Sequence, residues 1–168
     1  IRARLSSATA ELHRLTDLSA GTFDIGAEAG LRGMLQFMMD GIAPVEAALE
    51  RVGAGRLLPE WPQRRRSALL RADGAREPQG DGAAFRSEAE IWGALYVLEG
   101  SRLGARLLAR TAAGRSRFLE AAAADRFWPE FLSRLREAHE RLRDPEGMER
   151  GAHAAFRAFL SEPVHQVS

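Results

Sequence analysis

Cysteine is absent from all 168 residues, which excludes disulfides, thiolate metal sites and a thiol nucleophile. Lysine is absent as well, and all 24 basic residues are arginine, a usage in keeping with a GC-rich genome. Strand formers are scarce: Val, Ile and Thr together number 13, against 51 for Ala and Leu. That ratio predicts an all-α fold. No run approaches the roughly eighteen apolar residues that a membrane span needs, and no signal-peptide pattern stands at Ile1. The expectation is a cytoplasmic protein that does not enter a membrane. An excess of either charge is missing too, since 24 basic and 23 acidic residues leave a net charge of +1, which argues against nucleic acid as a partner. What is present, 45% apolar and 28% charged residues, is a globular composition. The length suits one domain, residues 1–168, and is too short for two separate cores.

Apolar periodicity predicts a first helix over Arg2–Leu18, with Leu5, Leu12 and Leu15 on a buried stripe, and a long one over Ala27–Val52 that Pro44 should kink or divide. A short basic helix follows over Gln63–Ala72. The Gly- and Pro-rich stretch Asp73–Gly82 reads as exposed and mobile. Ser87-Glu88-Ala89-Glu90 fits a capping box opening a helix that runs to Arg110, with Gly114 as its stop. A short Ala-rich segment leads to a helix over Trp128–Leu142. Asp144-Pro145 then pairs an N-cap with a first-turn proline, opening a last helix that runs to Leu160.

His13 is the leading candidate for metal or acid–base chemistry. Arg2, Ser6, Thr9, His13 and Asp17 stand at offsets of four, three, four and four, so they share one helical face. Such a stripe is either a plain solvated side or an imidazole ligand with Asp17 orienting its other ring nitrogen. His139, between Glu137 and Glu140, reads as exposed. Glu149 and His153 share a face, a pairing common by chance. Glu162-Pro-Val-His165 has the Glu-x-x-His spacing of di-iron bundles, but lies in a tail with no second copy.

Gly93, Gly100 and Gly104 interrupt an otherwise strong helix, each at a cost of about 0.5–1 kcal/mol relative to Ala. Their spacing places them on one face with Tyr96, the only tyrosine. Two readings stand: close packing against another helix, or a flat ligand lying on bare backbone. A histidine on one helix and a glycine-paved helix opposite it is the pair of walls that a haem needs.

The segment Gly93-Ala-Leu-Tyr-Val-Leu-Glu-Gly-Ser-Arg-Leu-Gly104 resembles the distal-helix signature of bacterial heme oxygenases, and Ala8-Thr-Ala-Glu-Leu-His13 with Asp17 resembles their proximal helix. Weaker similarity covers Phe23–Leu49 and Leu58–Asp73. The resemblance implies a single-domain, all-α helical bundle with haem between proximal and distal helices. It implies an enzyme that uses O2 and external electrons to convert haem to biliverdin, CO and ferrous iron, with haem as both cofactor and substrate. On that reading His13 is the iron ligand, Asp17 its partner and Thr9 its neighbour on the haem-facing stripe. Gly100 and Gly104 touch the distal face, Ser101 stands beside the bound oxygen and Tyr96 meets a propionate. Ser6 replaces a basic residue common in the family, so Arg2, one turn earlier, is assigned to that propionate, and Arg134 to the other. Ala105 stands where many relatives have a further glycine. A ferredoxin or flavin reductase is the implied electron donor, and a bacteriophytochrome a possible recipient of biliverdin. The alternatives are a haem-binding protein of the same fold without turnover, and a partner-binding bundle without haem.

Overall fold

The computed structural model describes residues 1–78 and 82–161, and among them every regular element is a helix. In chain order these are α1 (Arg2–Ala8), α2 (Ala10–Ala20), α3 (Glu28–Arg51), α4 (Trp61–Arg64), α5 (Ser67–Ala72), α6 (Glu88–Ala112), α7 (Arg117–Ala124), α8 (Phe127–Leu142) and α9 (Pro145–Leu160), with a 3₁₀ turn at Ala54–Arg56. No helix among the described residues is long and apolar enough to cross a membrane. The Glu162–His165 spacing lies outside the described residues.

Local chemistry explains the sharpest helix starts. The Ser87 hydroxyl accepts the Glu90 amide at 3.2 Å, and the Glu90 carboxylate accepts the Arg86 amide at 2.8 Å, a capping box displaced by one residue at its return bond. Asp144 accepts the Gly147 amide at 2.8 Å and Pro145 fills the first turn of α9. α6 ends as Ala113 and Gly114 both enter positive φ, at 47° and 78°.

Helices α6 and α9 form the central pair, and glycine is what lets their backbones touch. A Cβ on Gly93 would lie 1.9 Å from the Met148 carbonyl oxygen, and one on Gly151 would lie 1.9 Å from that of Glu90. α3 crosses α9 with Gly41 beneath the Phe159 ring, while α7 and α8 pack on α6. Met39, Ile42, Leu49, Leu95, Phe118 and Phe131 are fully buried between these layers.

Several expectations change. The first helix is broken at Thr9 (φ −105°, ψ 5°), so Leu5 is buried, Leu12 half-buried and Leu15 exposed rather than forming one stripe. α3 runs unbroken through Pro44, whose missing N–H costs one helical bond without dividing the element. The basic helix is two short pieces, α4 and α5, because Arg65 adopts an extended backbone between them. The Ala-rich segment is itself helical, as α7. Asp73, expected to be mobile, holds the start of α7: its carboxylate accepts the Ser116 hydroxyl at 2.8 Å and the Arg117 and Phe118 amides at 3.0 Å.

Candidate functional site

α2 forms one wall of a cleft of about 550 Å³, lined by Ser6, Ala10, His13, Arg14, Asp17 and Leu18 and by the turn at Gly21–Thr22. None of the residues of α2 is buried, because its inner side meets mainly α9 and the rest is left without a partner helix. The His13 side chain is 63% exposed, its ring tilted against Phe156 at 5.8 Å between centroids. Asp17 Oδ2 lies 3.5 Å from His13 Nε2. An axial metal bond through Nε2 therefore requires the imidazole to turn so that Asp17 receives the Nδ1 proton instead, a rotamer change open to two exposed side chains. Thr9, assigned to the same face, is placed otherwise. The break at its own position turns it into the core, where its hydroxyl donates to the Leu5 carbonyl at 2.8 Å.

The glycine stripe of α6 is uncovered step by step. Gly93 is packed beneath α9, a Cβ on Gly100 would meet the Trp128 ring at 3.7 Å, and one on Gly104 would meet nothing within 4 Å. The close-packing reading thus holds for Gly93, whereas Gly104 presents bare backbone to open space. Leu107, one turn on, is 79% exposed. Tyr96 is half-buried, its ring 5.9 Å from that of Trp128, and the Arg2 guanidinium lies 5.9 Å over the same indole. Burial pushes the Tyr96 phenol up, partly offset by the neighbouring Arg2 charge and Ser6 hydroxyl. Ser6 of α1, which also lines the His13 cleft, thus stands beside Tyr96 of α6.

No protein-family model and no curated protein matches the chain. The donor set must therefore speak through its own chemistry. Among the described residues no three His, Asp or Glu side chains converge as a metal cage. A bare ion at His13 would be left short of ligands, whereas a haem carries its own equatorial nitrogens and asks for one axial imidazole and apolar walls. His13 and Leu18 bring an imidazole and an apolar side chain to the cleft, and Gly104 and Leu107 stand exposed on α6.

Ser101 does not stand free. Its hydroxyl donates to the Leu98 carbonyl at 2.7 Å and accepts from Arg66 Nη2 at 2.8 Å. Arg134 is likewise occupied, paired with Glu60 at 3.0 Å and Glu130 at 2.7 Å, so it has no free charge for a propionate. His139 is half-buried rather than exposed, with Nδ1 enclosed and without a hydrogen-bond partner among the described residues. His153 Nε2 donates to the Ala8 carbonyl at 2.8 Å, anchoring α9 beside the Thr9 break. Glu149 pairs with Arg4 rather than with His153.

The feature that the sequence reading missed is a buried ionic cluster. Glu99 on α6 takes Arg64 Nη1 at 2.9 Å and Arg102 Nε at 3.2 Å, and Arg102 Nη1 donates to Asp125 at 2.7 Å. Arg64 and Arg102 also lie over the Phe127 ring, 4.4 and 5.4 Å from its centroid. Glu46 on α3 accepts the Arg66 amide at 2.6 Å and the Ser67 amide at 3.1 Å, capping α5. Burial, with the Arg102 charge adding to it, pushes the Arg66 guanidinium down to about 10. The only signal in the sequence was the unbroken triplet Arg64-Arg65-Arg66 between Gln63 and Ser67, which reads equally well as a solvated face.

Proposed function

We propose that the protein is a heme oxygenase, cleaving haem to biliverdin, CO and ferrous iron with O2 and electrons from an external reductase or ferredoxin. The observation that carries this reading is where large apolar side chains are exposed. Among the described residues these are Leu15 at 37%, Leu18 at 58% and Leu107 at 79%, and all lie on α2 and α6, the helices carrying His13 and Gly104. Apolar side chains left in water on the helix of an exposed imidazole and on that of an uncovered glycine invite a flat apolar ligand.

In the proposed complex the His13 imidazole would hold the haem iron and Asp17 would fix its tautomer through the second ring nitrogen. Leu18 and Leu107 shield the ring edge from water. Arg2, Ser6 and Tyr96 gather a cation and two hydroxyls at one rim, where a propionate would be received. Gly104, with no side chain, would leave room at the α6 wall for a diatomic molecule. When bound, haem supplies the iron that activates O2 and the ring carbon that is oxidised, so the chain needs no nucleophile of its own.

The test is a hemin titration followed by an electron source. Wild-type protein should give a saturable Soret band shifted from free hemin, and His13→Ala should lose the axial-imidazole signature. Reduction under O2 should then yield a green pigment with ferrous iron release. The engagement of Ser101 by Arg66 and Leu98 favours a second reading, haem binding without turnover, whose mark is a stable reduced haem spectrum in the same assay. No spectral change with hemin at all would sink both.

A further inference from the structure

Arg66 lies outside the proposed ligand site, yet it reaches α6 one turn before the exposed Gly104. Arg66 Nη2 donates to the Leu98 carbonyl at 2.7 Å and to Ser101 Oγ at 2.8 Å, and Ser101 Oγ closes the ring by donating to the same carbonyl at 2.7 Å. Helix geometry assigns the Leu98 carbonyl to the Arg102 amide, so two side-chain donors converge on the turn containing Gly100. Beyond it stand Gly104, where an added Cβ would meet nothing within 4 Å, and the exposed Leu107. Before it, α6 is clamped against α9 at Gly93.

Arg66 is itself well fixed. Its amide is held by Glu46 on α3, its guanidinium lies 5.6 Å over the Phe118 ring of α7, and the side chain is buried beside the Glu99–Arg102–Asp125 cluster. Two of its donors, Nε and Nη1, find no partner among the described residues, so the bonds to α6 satisfy only part of a buried cation. A buried charge with incomplete partners is costly and gains nothing from replacing a simple apolar contact. What this arrangement supplies is direction: a fork that fixes one turn of α6 relative to α3 and α7.

We infer that Arg66 is a positioning residue, whose two bonds to Leu98 and Ser101 set the course of the Gly100–Gly104 segment and thereby the shape of the α6 wall. Its consequence for a ligand rests on the haem reading, whereas the clamp itself does not.

The experiment has an arm for each. In the protein without hemin, amide hydrogen exchange is compared for wild type, Arg66→Gln, Ser101→Ala and the double variant, with Arg66→Lys as the version that preserves the buried charge balance should Arg66→Gln not fold. Loss of the charged bond should lower protection of amides 101–105 by about tenfold and leave α3 and α9 amides unchanged. The loss should be smaller when Ser101 is already Ala. A uniform loss through α3 and α9, or no coupling to Ser101, would overturn the clamp. In the second arm, Arg66→Lys should shift the Soret band of the hemin complex while changing hemin affinity less than about threefold. A spectrum superimposable on wild type would show that the clamp does not shape the ligand face. Failure of wild type to bind hemin would remove the haem reading and leave exchange to judge the clamp.

Discussion

One methyl group separates close packing from open space along the glycine stripe. At Gly93 it would collide with the Met148 carbonyl at 1.9 Å, a backbone atom that cannot step aside, and with the Ala152 amide at 2.8 Å. Gly93→Ala should therefore cost at least about 3 kcal/mol, because the two central helices must move apart. At Gly104 the same methyl meets nothing within 4 Å, and alanine improves helix propensity by about 0.5–1 kcal/mol. Gly104→Ala should raise the melting temperature of the hemin-free protein by about 1–4 °C. Gly104→Phe should keep the fold, seen as unchanged helical circular dichroism, and lose hemin binding or turnover. Unimpaired hemin turnover in Gly104→Phe would take α6 out of the site. The spacing that marked both glycines could not tell them apart, since a helix face is one stripe in sequence and becomes two environments only where α9 stops covering it.

Among the elements, α2 is the one that its own residues hold least. With no residue buried, it depends on the helix before it and on α9 behind it, through the His153 bond to Ala8 and the tilted Phe156–His13 contact. An eleven-residue helix is marginal without such support. Its amides should exchange among the fastest of the helical ones, and hemin should slow them selectively while leaving α6–α9 amides unchanged. His153→Ala should speed α2 exchange in the hemin-free protein, and equal rates in the two proteins would remove that anchor. This is also the scale at which sequence and structure agree most and least. The starts of α6 and α9 were legible because Ser87, Glu90, Asp144 and Pro145 act on amides within four residues. The break at Thr9 was not, and the bond that His153 makes to the neighbouring Ala8 carbonyl comes from far along the chain. The division of Gln63–Ala72 was equally hidden: Arg64 and Arg66 face inward only because Glu46, Glu99 and Asp125 arrive from three other parts of the chain. Of the candidate site, His13, Asp17, Arg2 and Gly104 are exposed and Tyr96 is half-buried. Thr9 and Ser101 do not stand free, since tertiary hydrogen bonds claimed their hydroxyls.

Across the whole molecule, the outer helices are fastened to the α6–α9 centre by carboxylate–arginine pairs. Arg4 of α1 reaches Glu146 and Glu149 of α9 at 2.7 and 2.5 Å, and Arg141 of α8 pairs with Glu88 of α6. Hydrogen bonds from Arg4 and from Arg141 hold Glu146 and Glu88, respectively, below the usual carboxylate range. A carboxylate whose pKa is lower folded than unfolded stabilises the fold above its unfolded value near 4.5, and that contribution disappears as pH falls through the folded value. The urea midpoint of the hemin-free protein should accordingly be level from about pH 5 to 8 and drop below about pH 4.5. Exposed pairs are screened, so the drop should shrink at high salt. Arg4 ties down the helix that carries Ser6 and leads into α2, so Arg4→Gln should flatten part of the acid drop and also weaken hemin retention at pH 7. An Arg4→Gln profile parallel to wild type, with unchanged hemin affinity, would mean that α1 is held by Leu5 and His153 alone.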